Sequence, residues 1–385
     1  MYPPRDIIPV RKKTIINKIS ISSFCVAVIP FFISLFLFLF VLFFGFLSLV
    51  LYFVLFIVLC FVAPEPVDTF IKLLTYPVKS KLYFGYVLVK MVPLCFAGLA
   101  TALYFRTGLF NLSTEGVFYI SGVVCTYFAI NETFMTGNGF LDSAICIIAA
   151  GIFGGLIALI PGYLKAKFNA DEMVISLMLN NILFGIGYWF VLNHLAISGI
   201  TGTASADFIA SAKLSNIIPK TQVHSGIILA LIMVILVYIL MFKTKLGYSI
   251  RMTGSNKSFA RYSGMGAFGL FMAVHFLAGF IGGMGSSVEL LGLYRKFNWS
   301  TLPGLGFTGA LIANIGKNHP LGVLLASFGI SYLRAGAQLL ANSNPVIDIS
   351  MISIVEVIVT LLISSQYFLR KWRDKQLLKE EQKNG

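Results

Sequence analysis

The runs IILALIMVILVYILMF (227–242) and AFGLFMAVHFLAGFIGG (267–283) flank the stretch KTKLGYSIRMTGSNKSFARYSGM (243–265). Neither apolar run carries a charged side chain, whereas the stretch between them holds five cations (Lys243, Lys245, Arg251, Lys257, Arg261) and no acid. Gly247, Gly254 and Gly264 punctuate it where a helix would start or stop. Arg251, Thr253, Asn256, Arg261 and Tyr262 give it a polar surface. It reads as a short polar helix hung between two spans and open to a soluble partner. An ordinary cytoplasmic loop rich in cations has the same composition.

Composition places the whole chain in that setting. Of 385 residues, 58% are hydrophobic and only 11% charged, and the mean hydropathy is +0.88. Soluble domains carry about a quarter charged residues, so the expected fold class is an all-α integral membrane protein. The net charge of +14 is then a matter of which side the cations occupy. No basic-aromatic surface or zinc spacing suggests nucleic acid. Cys25, Cys60, Cys95, Cys125 and Cys146 all lie in apolar runs without a nearby ligand at metal spacing, so they read as inert buried thiols.

About ten transmembrane helices are expected, one of them short or re-entrant. A cytoplasmic N-terminal segment (1–23) carries Arg5, Arg11, Lys12, Lys13 and Lys18. The permease domain proper occupies 24–369 and a charged tail 370–385. The first apolar run, 31–62, is far longer than the ~7–15 residues of a signal-peptide core, and is expected to be retained as one span. Residues 63–83, with Pro64, Pro66 and Pro77, read as a mixed segment in which proline breaks helix. Further spans are expected near 84–105, 114–130, 143–163, 173–192, 227–242, 267–290, 320–340 and 350–369. Gly151, Gly154 and Gly155 permit close helix contact in the fourth. The piece 301–316 is about 24 Å long as a helix, short for a ~30 Å hydrocarbon core. With ten crossings both termini are cytoplasmic, and cations concentrate on that side.

No nucleophile elbow, zinc-protease helix or phosphate-binding loop occurs, so an enzyme is disfavoured and any nucleotide hydrolysis belongs to another chain. Polar groups inside spans are costly and so invite a functional reading. Asn111, Ser113 and Glu115 cluster in otherwise apolar sequence, and Asn180 and Asn181 are adjacent amides inside the fifth span. These five are the candidates for a solute path or its gate, against helix capping and interhelical hydrogen bonding as the plainer roles. Lys90, Glu289 and Arg334 read as internally paired or snorkelling. Glu289 and Glu356 are the acids an ion-gradient-driven secondary transporter would use, which is the alternative class.

Four blocks in order then resemble one family. PLCFAGLATALYFRTGLFNLSTEG (93–116), DEMVISLMLNNI (171–182), GYSIRMTGSNKSFARYSGM (247–265) and PGLGFTGALIANIGKNHPLG (303–322) are similar to signature blocks of the permease subunit of bacterial ABC importers for nucleosides and simple sugars, in the branched-chain-type permease superfamily. Val117, Lys257, Phe259 and Thr308 depart from the pattern. The G-L-F-N form of the first block looks more like the nucleoside branch.

The resemblance implies a multi-pass protein of the bacterial cytoplasmic (inner) membrane that binds no cofactor itself. ATP and Mg would be bound by a cytoplasmic ATP-binding subunit. A second permease, homologous or identical, would complete the pathway, and an extracytoplasmic binding protein or lipoprotein would deliver the solute. It also implies that Gly247, Arg251, Gly254, Asn256, Ala260, Arg261, Tyr262 and Gly264 couple the permease to the ATP-binding subunit.

Overall fold

A helix satisfies all its internal backbone hydrogen bonds within one segment, which lipid demands of any single span. The computed structural model, which describes residues 66–196 and 204–343, is accordingly helical, with only isolated bridges and no strands among the described residues. The expected segments 1–23, 31–62, 350–369 and 370–385 lie outside the described residues.

The helices are α1 (Pro66–Lys79), α2 (Lys81–Arg106), α3 (Thr114–Ile130), α4 (Gly139–Phe168), α5 (Glu172–Phe190), α6 (Gly226–Lys243), α7 (Lys245–Ser255), α8 (Lys257–Tyr262), α9 (Ala267–Leu293), α10 (Leu305–Ile315) and α11 (Pro320–Ser343). Six of these, α2, α4, α5 with the π turn that extends it to Leu195, α6, α9 and α11, are long and apolar enough to cross a membrane. The shorter α3 and α10 are apolar too. Exposed Met178, Ile182 and Ile186 on α5 and Ile228, Leu231 and Ile235 on α6 present hydrocarbon outward, as lipid contact requires.

One expectation fails at the start. Residues 66–79 form a helix instead of a proline-broken segment, because Pro66 occupies the first helical position, where its missing N–H and fixed φ do no harm. Asp68 in the first turn and Lys79 in the last suit the helix dipole, and Lys72 pairs with Asp68 one turn away.

The core centres on α2. Every residue from Met91 to Tyr104 is buried, with Pro93 inside the helix. Neighbours α1, α6, α9, α10 and α11 all pack against it. The broadest helix pairing is α4 on α9, and small residues allow it. A Cβ on Gly154 would lie 2.7 Å from the Gly279 carbonyl oxygen, and one on Gly279 would collide with the Gly154 carbonyl. This is small-residue packing of the kind that lets helix backbones touch in lipid.

Two loop systems define opposite faces. On one, residues 204–225 run beside 291–299. Ser205 N–H donates to the Phe297 carbonyl at 3.0 Å, Phe208 N–H to the Arg295 carbonyl at 2.9 Å, and Arg295 pairs with Asp207 at 2.8 Å. On the other face, α7 and α8 lie beside the ends of α2 and α6. There His319, just before α11, stacks on Phe242 with ring centroids 5.0 Å apart. Burial, then the nearby Arg106 charge, hold this imidazole below its ordinary pKa. Residues 294–319 therefore cross from one face to the other, the first part as irregular chain and the second as α10. The short apolar piece is thus irregular chain followed by an 11-residue helix.

Replacing Gly279 with leucine is expected to lower the thermal unfolding midpoint of the purified protein in detergent, overpacking of this kind costing about 1–3 kcal/mol. Gly269→Leu, where an added Cβ meets nothing within 4 Å, should leave the midpoint near that of the parent.

Candidate functional site

Helix α2 ends at Arg106, and the chain turns back into the protein through residues 107–113 before α3 begins at Thr114. Irregular backbone at this depth needs partners, and side chains of α5 and of the turn itself supply them. Ser176 of α5 accepts the Leu112 N–H at 3.1 Å. Asn180 is bivalent, its Oδ1 accepting Gly116 N–H at 2.8 Å while its Nδ2 donates to the Leu112 carbonyl at 3.0 Å. Asn111 Oδ1 accepts Ser113 N–H at 2.7 Å, and its amide lies 3.0 Å from His275 Nε2. His275 Nδ1 is 2.8 Å from the Phe271 carbonyl, which can only accept. The ring is thus protonated on Nδ1 and receives Asn111 Nδ2–H on Nε2.

Glu115, fully buried in the first turn of α3, faces the start of α10. Gly304 N–H donates to Oε1 at 2.6 Å, Gly306 N–H to Oε2 at 2.6 Å, and Phe307 N–H to Oε2 at 3.2 Å. Three of the N–H groups that a helix start leaves without partners are held by one carboxylate. The approach depends on Gly306, because a Cβ there would collide with the Glu115 backbone nitrogen. The structure therefore brings Asn111, Ser113, Glu115 and Asn180 together around backbone that starts helices within the protein. Asn181 points away, exposed, its amide donating to the Leu177 carbonyl of its own helix at 3.3 Å.

The stretch 243–265 folds as α7 and α8, and its residues divide by the direction they face. Gly247 packs against the carbonyls that end α6, and Ala260 is buried. Gly254 abuts the Arg106 carbonyl, with no room for a side chain. Arg251 turns back, donating to the Met241 carbonyl and lying 5.1 Å over the Phe242 ring. It caps the end of α6, a favourable place for a cation. Asn256 Oδ1 accepts Phe259 N–H at 3.0 Å and so starts α8, and Gly264 (φ 75°) follows its end. Outward stand Tyr248, Phe259 and above all Tyr262, which is 92% exposed. The side chain of Arg261 lies outside the described residues.

A cavity of about 450 Å³ opens between α2, α9, α11 and residues 298–303. Lys90, Glu289 and Arg334, which the sequence suggested were paired or snorkelling, all line it, and none of the five candidate path residues does. The three charges come from three different helices, so only the folded packing brings them to one wall. No group of three His, Cys, Asp or Glu side chains among the described residues is arranged to hold a metal.

A membrane-embedded helical bundle with helix starts tied together inside it and a polar helix pair at one face is the frame of a solute permease. The chain belongs to the family described as "Branched-chain amino acid transport system / permease component", which matches residues 83–364. It is 29% identical to the glucose ABC transporter permease protein TsgB13 of Haloferax volcanii over 80% of this chain and 83% of that protein. Against the guanosine ABC transporter permease protein NupP of Bacillus subtilis it is 29% identical, over 75% and 82%. The nucleoside ABC transporter permease protein NupB of Lactococcus lactis subsp. cremoris is 28% identical over 68% and 73%. The chain is a transmembrane permease subunit of an ABC importer.

Glu115→Ala removes the acceptor for three N–H groups, each costing about 1–3 kcal/mol when buried without a partner. The thermal midpoint in detergent is expected to fall well below that of Asn181→Ala, where an exposed amide is lost.

Proposed function

We propose that this chain forms half of the pathway for nucleoside uptake across a bacterial cytoplasmic membrane, with simple sugars as the next solute class. The names of the guanosine, nucleoside and glucose permeases among its relatives support that solute range. In this reading α7 and α8 lie on the cytoplasmic face, as do both termini of a chain with ten crossings. The cations Arg106, Lys165, Lys167, Lys243 and Lys245 favour that orientation. The face carrying residues 204–225 then receives solute from an extracytoplasmic binding protein, and a second permease completes the pathway.

The observation that carries the energy-coupling part is the outward display of Tyr262 and Phe259 on a helix pair otherwise locked to the bundle. These aromatic side chains fit a groove on a cytoplasmic ATP-binding subunit, which holds ATP and Mg. Arg251 acts as part of the lock, fixing α7 to α6. Gly254 passes any movement of the helix pair to the end of α2. Coupling then has the physical form it needs, a rigid element in contact with both sides.

In proteoliposomes holding both permeases and the ATP-binding subunit, with binding protein added, Phe259→Ala combined with Tyr262→Ala is expected to cut uptake at least about tenfold, as removal of interface anchors does. ATP hydrolysis should then no longer rise on adding loaded binding protein. Gly254→Trp should do the same with both aromatic residues in place. Parent-like uptake in both variants would remove the docking assignment. Uptake that persists without the ATP-binding subunit and stops when the ion gradient collapses would place the protein with secondary transporters.

A further inference from the structure

Buried charge in a membrane protein demands a partner, and one carboxylate here lacks a complete set. Glu289, in the last turns of α9, is only 4% exposed, yet its Oε2 is buried and accepts no hydrogen bond. Lys90 and Arg334 are the cations whose fields act on it. Lys90 forms no ion pair with it, and its ammonium lies 5.5 Å over the Tyr86 ring. Arg334 donates to the Thr308 hydroxyl at 2.8 Å, which ties α11 to α10. A carboxylate left in this state costs several kcal/mol unless a donor from elsewhere reaches it.

The cavity of about 450 Å³ supplies the space for such a donor. Its volume falls in the range of small-molecule sites, about 300–1,000 Å³. Tyr86, Tyr294 and Trp299 add aromatic faces to its wall. The Tyr86 hydroxyl donates to Gln338 Oε1, which leaves the Gln338 amide N–H groups for other acceptors. A second cavity of about 510 Å³ shares Tyr86 and Gln338 and reaches Lys220, Thr221 and Gln222, within the loop that borders the face opposite α7. Solute arriving on that face therefore meets the polar wall before it meets the α3–α10 junction.

We propose that this cavity is the solute-selecting site of the permease, and that Glu289 accepts a hydroxyl group of a nucleoside while the aromatic wall receives its base. Oε2 is enclosed by the protein, so Oε1 is the carboxylate oxygen left to accept a hydroxyl, as from a ribose ring. Aromatic faces at the same wall favour a flat heterocycle. Glu289 offsets one of the two cations, so the wall carries one net positive charge and sets acceptor and donor groups side by side. A free amino acid would use the same wall differently, with its ammonium on Glu289 and its carboxylate on Lys90, and it is the competing solute class. The inference rests on the importer function proposed above.

The test uses the complete transporter in proteoliposomes, with Cys25→Ser and Cys60→Ser so that Cys95, Cys125 and Cys146, all buried, are the remaining native thiols. Ser300→Cys then places a thiol at the exposed rim of the cavity, and its maleimide labelling is timed with guanosine, glucose or leucine present. Guanosine is expected to slow labelling severalfold, and Glu289→Gln to abolish that protection. In uptake assays Glu289→Gln should raise the KM for guanosine about tenfold, the scale of one lost hydrogen bond to a charged group. Lys90→Met at equal expression should weaken guanosine uptake less than it would weaken an amino acid's. If guanosine is transported but neither protects Ser300→Cys nor responds to Glu289→Gln, the site assignment is wrong and the importer function stands. Protection by leucine alone overturns the nucleoside class. If neither guanosine nor glucose is taken up by the parent, the solute reading and this inference fall together.

Discussion

Two helix starts face each other inside this bundle, and one carboxylate holds them. The N-termini of α3 and α10 each leave N–H groups unbonded and each carry the positive end of a helix dipole. Glu115 belongs to the first turn of α3 and accepts from the first residues of α10. Its charge therefore suits both dipoles at once. Without it, a chain that crosses by irregular backbone and a helix of 11 residues would expose unpaired amides where water cannot reach. The close approach at Gly306, and the amide and hydroxyl supports from Asn180, Ser176 and Asn111, all follow from keeping that junction dry and satisfied.

Polar residues within the spans thus separate into two populations by what they touch. One population bonds to backbone: Asn111, Glu115, Ser176 and Asn180 complete the hydrogen bonds of broken helices. The other, Lys90, Glu289 and Arg334, comes from three intact helices and converges on open space. The distinction is physical. A side chain that answers a backbone N–H has its geometry fixed by the fold, and has little left to offer a solute. A charge on an unbroken helix has no backbone duty, since the helix already satisfies itself.

Much of the fold was legible in sequence, because a membrane simplifies the code. Long apolar runs at 84–105, 143–163 and 227–242 became helices within a few residues of their expected bounds, as did the polar stretch 243–265 between two spans. The short apolar piece expected at 301–316 folds as α10, a helix of 11 residues. Pro66 misled because it takes the first helical position, where it does no harm, whereas Pro77 lies inside the helix close to its end. The site was harder to read. Asn111 and Glu115 stand out locally because they cluster, whereas Lys90, Glu289 and Arg334 lie far apart in the chain. Arg251 looked available to a partner only because sequence cannot show that it turns back on Met241.

The contact between Gly254 and the Arg106 carbonyl has a mechanical consequence. From Arg106 back to Lys90, α2 runs about 24 Å at ~1.5 Å per residue, packed on every side from Met91 to Tyr104. A rod confined in this way has no sideways freedom, and at Gly254 there is no slack to absorb a displacement. Under the proposed coupling, motion imposed on α7 would appear as axial or rotational movement of α2, and Pro93, which lacks an N–H to bond the preceding turn, is a compliant point within it. Tyr86 and Lys90 stand just beyond that point. In that reading the helix would act as a push-rod with a joint near its far end, and the side chains past the joint would turn most for a given thrust.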